Sequence, residues 1–152
     1  MRFDSVLVVC LGNICRSPLG ERLLQRACGS GSGAPVIRSA GLRALEGHPA
    51  DPVTREVADA HGLSLEGHRA RSFTTELGAA HDLILVMEPW HRTEIDRQAP
   101  QLSGRTLLFD KWSENAGIAD PYRQSRAVHE RVFDLIDRAA HEWASRISHG
   151  AG

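Results

Sequence analysis

Short runs of apolar, often β-branched residues alternate with amphipathic helical segments along the whole chain, and this alternation limits the possible fold more than any other feature. The apolar runs, which we predict as strands, are Ser5–Cys10, Val36–Arg38, Asp82–Met87 and Thr106–Phe109. The predicted helices are a segment from Pro18 with Ser17 as N-cap, Asp51–His61, a short helix after Ser72, Pro89–Gln98 and Arg123–Ser148. This order predicts an α/β fold: a small, twisted parallel sheet of about four strands with helices on both faces. Because ligands in such folds bind beyond the carboxyl ends of strands, the loop after the first strand is the first candidate site.

Length and charge narrow the class of protein further. With 152 residues, the chain is expected to form one domain over residues 1–152, with a flexible Gly/Ser loop at residues 29–33 and a disordered tail at residues 149–152. Lys and Arg number 18 against 19 Asp and Glu, so the basic excess typical of nucleic-acid binders is missing and no nucleic-acid partner is expected. No apolar run approaches the ~18 residues of a membrane span, so we expect a cytoplasmic protein without membrane insertion. Three cysteines without a C-x-x-C pair argue against a disulfide framework and a structural metal site.

The loop after the first strand has the composition of an anion-binding site. It reads Cys10-Leu-Gly-Asn-Ile-Cys-Arg-Ser-Pro18. Gly12 allows the backbone to approach a ligand closely, and Asn13 tolerates left-handed backbone angles. A loop of this length can turn successive N–H groups inward, and the following helix adds partial positive charge at the same point. Arg16 can hold two oxygens of a tetrahedral dianion such as phosphate.

Cys10 ends the first strand and is expected at the bottom of this loop. A helix N-terminus and a nearby arginine favour the thiolate form of a cysteine, and a hydrogen bond from Ser17 would stabilise it further. A thiolate below a bound phosphoryl group is a nucleophile aligned for in-line attack. The alternative interpretation is a buried, inert thiol at a strand end, which is the commoner fate of cysteine. The residues of the loop favour the nucleophile.

Asp120-Pro121-Tyr122 is the second candidate segment. Expulsion of a tyrosine phenolate, whose conjugate acid has a pKa of about 10, needs a proton donor, and Asp120 can supply it. Pro121 favours an extended backbone at Asp120 and stiffens the loop. Tyr122 could flank an aromatic substrate. Taken alone, Asp-Pro would only separate a loop from the last helix.

These two motifs together resemble the low-molecular-weight protein tyrosine phosphatases, and the resemblance covers nearly the whole chain. The segments at residues 39–45, 63–68 and 120–125 are most similar to the bacterial Wzb/EpsP-type branch, which acts on tyrosine autokinases in exopolysaccharide and capsule production. The resemblance implies a phosphotyrosine protein, expected to be such an autokinase, as the partner, and no metal or cofactor.

The resemblance also implies a role for each matching residue. Cys10 would be the nucleophile, Arg16 the phosphate clamp and Asp120 the general acid. Asn13 and Ser17 would order the loop, with Ser39 and His68 as supporting partners; ordinary strand-end and helix-cap hydrogen bonds are the alternative for the last two. Cys15 could form a reversible disulfide with Cys10, or simply line the loop. Backbone N–H donors would come from Leu11, Gly12, Asn13, Ile14, Cys15 and Arg16.

The chain departs from the broader family pattern at two positions. Leu42 stands where many members have an aromatic wall residue, so one wall of the pocket is expected to be aliphatic. Tyr122 is followed by Arg123 rather than a second tyrosine, so regulation by phosphorylation of a tyrosine pair is not implied.

Two other functions remain open from the sequence. One is an arsenate reductase on the same scaffold, which would need an external thiol because no cysteine follows Cys28. The other is a phosphopeptide-binding module without activity, against which the presence of Cys10, Arg16 and Asp120 together argues.

Overall fold

Four parallel strands form the centre of the part of the chain that the structure describes, in the spatial order β2-β1-β3-β4. The computed structural model describes residues 3–149, with side chains for residues 3–147. The strands are β1 (Ser5–Cys10), β2 (Val36–Gly41), β3 (Leu83–Val86) and β4 (Thr106–Leu108), and every neighbouring pair is parallel. The helices are α1 (Arg16–Cys28), α2 (Pro52–Ala60), α3 (Thr75–Ala79), α4 (Pro89–Gln98) and α5 (Arg126–His149), with a 3₁₀ turn at Pro100–Arg105. The predicted α/β fold with a four-stranded parallel sheet is confirmed.

The two faces of the sheet are covered by different helices. Along β1, Val6 and Val8 face the larger core, which residues of α1, α2 and α5 complete. Leu7 and Val9 face a smaller core that includes Phe73, residues of α4 and the 3₁₀ turn. This alternation follows from the two-residue period of a strand, and burial on both faces explains why β1 is apolar throughout.

Strand order places the loop after β1 at a topological switch point. From β1 the chain moves outward to β2, then returns to the other side of β1 to form β3 and β4. The connections leaving β1 and β3 therefore diverge at the same edge of the sheet, which opens a crevice there. The candidate loop at residues 10–17 starts in this crevice.

Element boundaries differ from the sequence prediction by two residues or more at three places, and by at most one residue elsewhere. α1 begins at Arg16 rather than Pro18, so Ser17 lies inside the helix and its side chain serves another purpose, described below. β2 continues beyond Arg38 to Gly41 because it pairs with the whole of β1. α5 begins at Arg126, because Arg123 has a left-handed φ of 63° and Ser125 accepts a hydrogen bond from Val128 N.

The structure bears only in part on the predicted loop at residues 29–33 and the predicted tail at residues 149–152. Residues 29–33 do form a loop between α1 and β2, with left-handed φ at Gly29 and Gly33, and its flexibility stays a prediction. In the predicted tail, His149 ends α5, while residues 150–152 lie outside the described part of the chain. None of the helices within residues 3–149 has the length and apolar character needed to cross a bilayer.

Candidate active site

The carbonyl groups of the loop at residues 10–14 point outward into the surrounding protein. The carbonyls of residues 11–14 each accept a hydrogen bond from another part of the chain. The donors come from the segment after β2, from the ring of His68 and from the start of α2: Arg43 N to Leu11 O (2.8 Å), Leu45 N to Gly12 O (3.1 Å), His68 Nε2 to Asn13 O (2.6 Å) and Asp51 N to Ile14 O (2.9 Å). Since the C=O and N–H of one peptide unit point in opposite directions, the N–H groups that follow these carbonyls face the interior of the loop. The result is a concave ring of donors suited to an anion.

Asn13 holds this loop in shape. Its φ of 59° is left-handed, and its side chain joins three segments of the chain. The amide oxygen Oδ1 accepts from Arg71 N (2.9 Å), which fixes Nδ2 as the donor to Ser17 Oγ (2.7 Å) and Ser39 Oγ (3.0 Å). Asn13 is fully buried, so each of these bonds replaces one that water would otherwise make.

Ser17 is thereby set to donate toward Cys10. Its Oγ already accepts from Asn13, and it lies 2.9 Å from Cys10 Sγ. The hydroxyl hydrogen is therefore free to point at the sulfur, where it stabilises negative charge. Both residues are buried, Cys10 at 2% exposure. This contact explains why Ser17 is needed within the first turn of α1 rather than as its N-cap.

His68 and Ser39 support the loop from behind. The Asn13 carbonyl can only accept, so His68 Nε2 carries the hydrogen of their 2.6 Å bond. Burial lowers the pKa of His68, which keeps the ring neutral with one nitrogen protonated. The structure thus brings both residues to the loop in the supporting positions expected for them.

β2 ends so close to the loop that only glycine fits there. A Cβ on Gly41 would lie 2.6 Å from Leu11 O and 3.0 Å from Asn13 N, both backbone atoms. The absence of a side chain at this position lets the segment after β2 donate its N–H groups to the loop carbonyls.

Arg16 directs one edge of its guanidinium into the loop. Nη1 donates to Glu88 Oε2 (2.6 Å) and to Ile118 O (2.8 Å), whereas Nη2 lies 3.6 Å from Asp120 Oδ2. Nε has no hydrogen-bond partner among the described residues, although Arg16 is only 1% exposed. A buried donor without a partner is costly, so the Nε–Nη2 edge is the part of Arg16 that suits two oxygens of a bound dianion.

A cavity of about 200 Å³ opens above this loop. Asp120 stands at its mouth, 41% exposed in its side chain, and its Oδ1 accepts from Tyr122 N (3.0 Å). The lining residues are Cys10, Leu11, Gly12, Ile14, Cys15, Arg16, Arg43, Leu45, Asp120 and Tyr122. The nucleophile, clamp and acid candidates therefore share one cavity.

Leu42 does not line this cavity, in contrast to the expectation for a wall residue. Its side chain packs instead against the smaller core, and Arg43 and the 41%-exposed Leu45 border the cavity. The reason is the local backbone: Leu42 N still pairs with Cys10 O as a continuation of β2, so its side chain follows the alternation of the strand. The wall is aliphatic, as expected, but Leu45 supplies it.

Cys15 lines the same cavity as Cys10. Burial raises the pKa of its thiol well above the usual range, with smaller contributions from Asp51 and Cys10, and only a hydrogen bond with Thr54 acts in the other direction. Cys15 is therefore a neutral thiol near neutral pH, and all three cysteines are free.

Sequence reasoning missed Glu88 and His91, which lie behind Arg16. Glu88 lies two residues after the end of β3, and the carboxyl ends of neighbouring parallel strands meet at one edge of the sheet. Its position after a buried strand is therefore the sequence signal that could have found it. His91 is fully buried, and its Nδ1 accepts from Glu88 N (3.1 Å). Burial, with the Arg16 charge, lowers the pKa of His91 to about 4, so the ring is neutral and adds no positive charge beside Arg16.

Comparison with known proteins agrees with this geometry. Residues 5–151 match the family described as "Low molecular weight phosphotyrosine protein phosphatase". The chain is 46% identical to the low molecular weight protein-tyrosine-phosphatase Etp of Escherichia coli K12, covering 97% of both chains, and 44% identical to the probable phosphatase AmsI of Erwinia amylovora, covering 95% of this chain and 98% of that one. The crystal structure of the tyrosine phosphatase Wzb from Escherichia coli K30 in complex with sulphate superposes with a TM-score of 0.91 at 46% identity, over 95% of this chain and 99% of that one. The chain therefore belongs to the low molecular weight phosphotyrosine protein phosphatase family, in its bacterial Wzb, Etp and AmsI branch.

Proposed function

We propose that this protein hydrolyses phosphotyrosine in two steps, with Cys10 as nucleophile, Arg16 as phosphate clamp and Asp120 as general acid and base. The observation that carries the proposal is the loop itself: Cys10 Sγ, the inward N–H groups and the Nε–Nη2 edge of Arg16 border one cavity, with the Asp120 carboxylate at its mouth. Such an arrangement meets the charge on a phosphoryl group with donors that are already in place.

In the first step, the Cys10 thiolate attacks phosphorus and a sulfur–phosphorus bond forms. The bond from phosphorus to the tyrosine oxygen breaks, and protonated Asp120 gives its proton to that oxygen, so neutral tyrosine leaves. The phosphoryl oxygens lie within the ring of N–H groups and on the Nε–Nη2 edge of Arg16. Glu88 and Ile118 O hold the other nitrogen, Nη1, and so keep this edge facing the phosphorus.

In the second step, the ionised Asp120 takes a proton from water as the water oxygen attacks phosphorus. The sulfur–phosphorus bond breaks, phosphate is released and the Cys10 thiolate returns, stabilised by the Ser17 hydroxyl at 2.9 Å. One water is consumed for each phosphate formed, and the acid of the first step is regenerated.

The proposed partner is a bacterial tyrosine autokinase of exopolysaccharide or capsule production. Support comes from the similarity to the Wzb and AmsI phosphatases and from the cavity, whose Tyr122 and Leu45 provide flat and aliphatic contacts for a phenyl ring. The proposed compartment is the cytoplasm, because a nucleophilic cysteine among three free cysteines requires reducing conditions.

Steady-state kinetics on phosphotyrosine and p-nitrophenyl phosphate test the mechanism. Cys10→Ser should abolish turnover of both substrates yet still bind inorganic phosphate, whereas Cys28→Ser, a change outside the cavity, should keep wild-type activity. Asp120→Asn should slow phosphotyrosine by the roughly 10²–10⁴-fold typical of a lost general acid, and p-nitrophenyl phosphate much less because p-nitrophenolate needs no protonation to leave. Turnover that survives in Cys10→Ser, or equal slowing of both substrates by Asp120→Asn, would contradict the assigned roles.

The partner is tested separately with a phosphorylated bacterial tyrosine autokinase of exopolysaccharide or capsule production. The wild-type protein should remove its phosphotyrosine in an anti-phosphotyrosine blot, and Cys10→Ser should form a stable complex with the phosphorylated kinase only. Retention of all phosphotyrosine on the kinase, while small substrates are hydrolysed, would reject the partner and leave the mechanism standing.

A further inference from the structure

Asp110 is a buried carboxylate to which the mechanism above gives no part. It is 5% exposed and begins the turn that follows β4, within the loop at residues 109–125 that leads to α5. No Arg, Lys or His of the described chain forms an ion pair with it. Backbone N–H groups take that place: Oδ2 accepts from Ala116 N (3.1 Å) and Gly117 N (3.0 Å), and Oδ1 also lies 3.2 Å from Gly117 N.

The backbone carbonyl of Asp110 accepts hydrogen bonds from the first half of the same loop. It accepts from Ser113 N (3.1 Å), Asn115 N (2.9 Å) and Ser113 Oγ (3.2 Å). The segment at residues 111–117 thus folds around a single residue. A buried carboxylate without a counter-ion is stabilised only by its hydrogen bonds. The Asp110 carboxylate therefore needs the N–H groups of this loop, and the loop conformation in turn needs the carboxylate as their acceptor.

The residues that follow this segment reach the active site directly. Ile118 N donates to Met87 O (2.7 Å), and Ile118 O accepts from Arg16 Nη1 (2.8 Å). Asp120, two residues further on, lies 3.6 Å from Arg16 Nη2. The turn also has little freedom to shift, because Gly117 has a φ of 100° and a Cβ there would lie 2.9 Å from Pro89 Cδ.

We propose that Asp110 is a positioning residue for the phosphatase reaction, which sets both the Arg16 guanidinium and the Asp120 carboxylate through the loop at residues 111–120. This inference rests on the proposed function, since it assigns Asp110 the task of placing that function's clamp and acid. Asp110 itself does not touch the substrate. It places the Ile118 carbonyl on one side of Arg16 and brings Asp120 over the cavity on the other.

Asp110→Asn tests the proposal, because it keeps the shape of the side chain but replaces one acceptor oxygen by a donor that faces the N–H groups of Ala116 and Gly117. We expect kcat for phosphotyrosine to fall about tenfold, part of the 10²–10⁴-fold that a general acid contributes, and kcat for p-nitrophenyl phosphate to fall less. The inhibition constant of inorganic phosphate, which reports on Arg16, should rise several-fold.

Asp110→Ser, whose hydroxyl oxygen still accepts one N–H, gives the same readouts in a second variant. Ser113→Ala is the matched control: it removes a bond to the Asp110 carbonyl from the same loop, and should leave the ratio of the two substrates unchanged.

A double-mutant cycle with Asp120→Asn separates positioning from a general loss of stability. If Asp110 acts through Asp120, Asp110→Asn should no longer change the ratio of the two substrates once Asp120 is replaced. A lowered melting temperature with an unchanged ratio and phosphate constant, or effects that add fully in the double variant, would overturn the proposal. If Asp120→Asn alone leaves the ratio unchanged, the failure lies in the proposed general acid instead, so the two failures are distinguishable.

Discussion

Asn13 shows how one side chain fixes the geometry of a site. It joins the loop after β1 to Ser17 in α1, to Ser39 in β2 and to the backbone of Arg71, while its own backbone takes a left-handed conformation. Without these bonds, neither the Ser17 hydroxyl nor the loop carbonyls would keep their direction. The loop therefore depends on a residue that does not line the cavity.

Asn13→Ala should cost roughly 2–4 kcal/mol of unfolding free energy, at about 1 kcal/mol for each of three buried hydrogen bonds plus the left-handed strain. Asn115→Ala is the matched control: Asn115 also has a left-handed φ, 55° against 59°, but it is exposed and its side chain makes no hydrogen bond within residues 3–149. Urea denaturation measures both variants. Equal losses would mean that the backbone conformation, not the amide bridge, gives Asn13 its importance.

At the scale of elements, the start of α4 sets the surroundings of Arg16. Glu88 precedes the helix and binds Arg16 Nη1, and His91 in its first turn accepts from Glu88 N. Since His91 is fully buried and neutral, this helix start supplies one carboxylate without a competing positive charge. Protonation of His91 would disturb that balance.

The stability of the protein should therefore fall as the pH drops from about 6.5 to about 4. The pKa of His91 is lowered from 6.5 in the unfolded chain to about 4 in the folded one, so below pH 6.5 the unfolded chain gains a proton that the folded chain refuses. The expected loss from this group is roughly 3 kcal/mol, at about 1.4 kcal/mol for each unit of pKa.

Urea denaturation at several pH values, in the wild type and in His91→Asn, isolates this contribution. The Asn oxygen can still accept from Glu88 N, and the acid-dependent loss should be smaller by about the same roughly 3 kcal/mol. Burial also lowers the pKa of His68 and of His81, but both contribute equally to the two proteins. The exposed His141→Asn serves as control; an identical pH profile for wild type and His91→Asn would exclude His91 as the source.

The extent to which the sequence predicts the site residues also differs between elements. Residues 10–17 are contiguous, so the end of β1 and the anion-binding loop could be predicted together, including a residue at Asn13 that tolerates the left-handed conformation, whereas the start of α1 was predicted two residues too late. The roles of Glu88 and Asp110 could not be predicted, because both depend on partners that only the folded chain brings near. Glu88 binds Arg16, and Asp110 accepts from N–H groups of a loop that has no regular sequence pattern. Leu42 was expected in the wall from the family resemblance, which does not show that Leu42 still pairs with β1 and therefore turns its side chain into the smaller core.

For the molecule as a whole, the long helix α5 contacts the start of the loop that carries Asp120, within the larger core. Trp143 is 2% exposed, and its Nε1 donates to Phe109 O (2.8 Å), the residue immediately before Asp110. Phe109 N in turn donates to Val86 O (2.8 Å) at the end of β3. Helix, loop and sheet are thus joined at one residue, Phe109, so the loop should unfold together with the core.

Trp143→Phe should lower the unfolding free energy by roughly 2–4 kcal/mol, because it leaves a buried carbonyl without a donor and a partly empty space in the core. Trp90→Phe, at a residue that is 47% exposed, should cost no more than about 0.5 kcal/mol, as expected for a surface change. Guanidinium denaturation followed by circular dichroism compares them. A small loss in Trp143→Phe would show that α5 and the loop are not coupled through this bond.

The contiguity of residues 10–17 has a consequence for how proteins of this shape can diverge. The groups proposed to bind the phosphoryl oxygens, the loop N–H groups and Arg16, are encoded in one short stretch of the gene. The proposed proton donor, Asp120, is encoded more than 100 residues later. Substitutions in the second region alone can therefore slow the hydrolysis of phosphotyrosine while the phosphate-binding groups stay intact, and restoration of a single carboxylate would reverse the change.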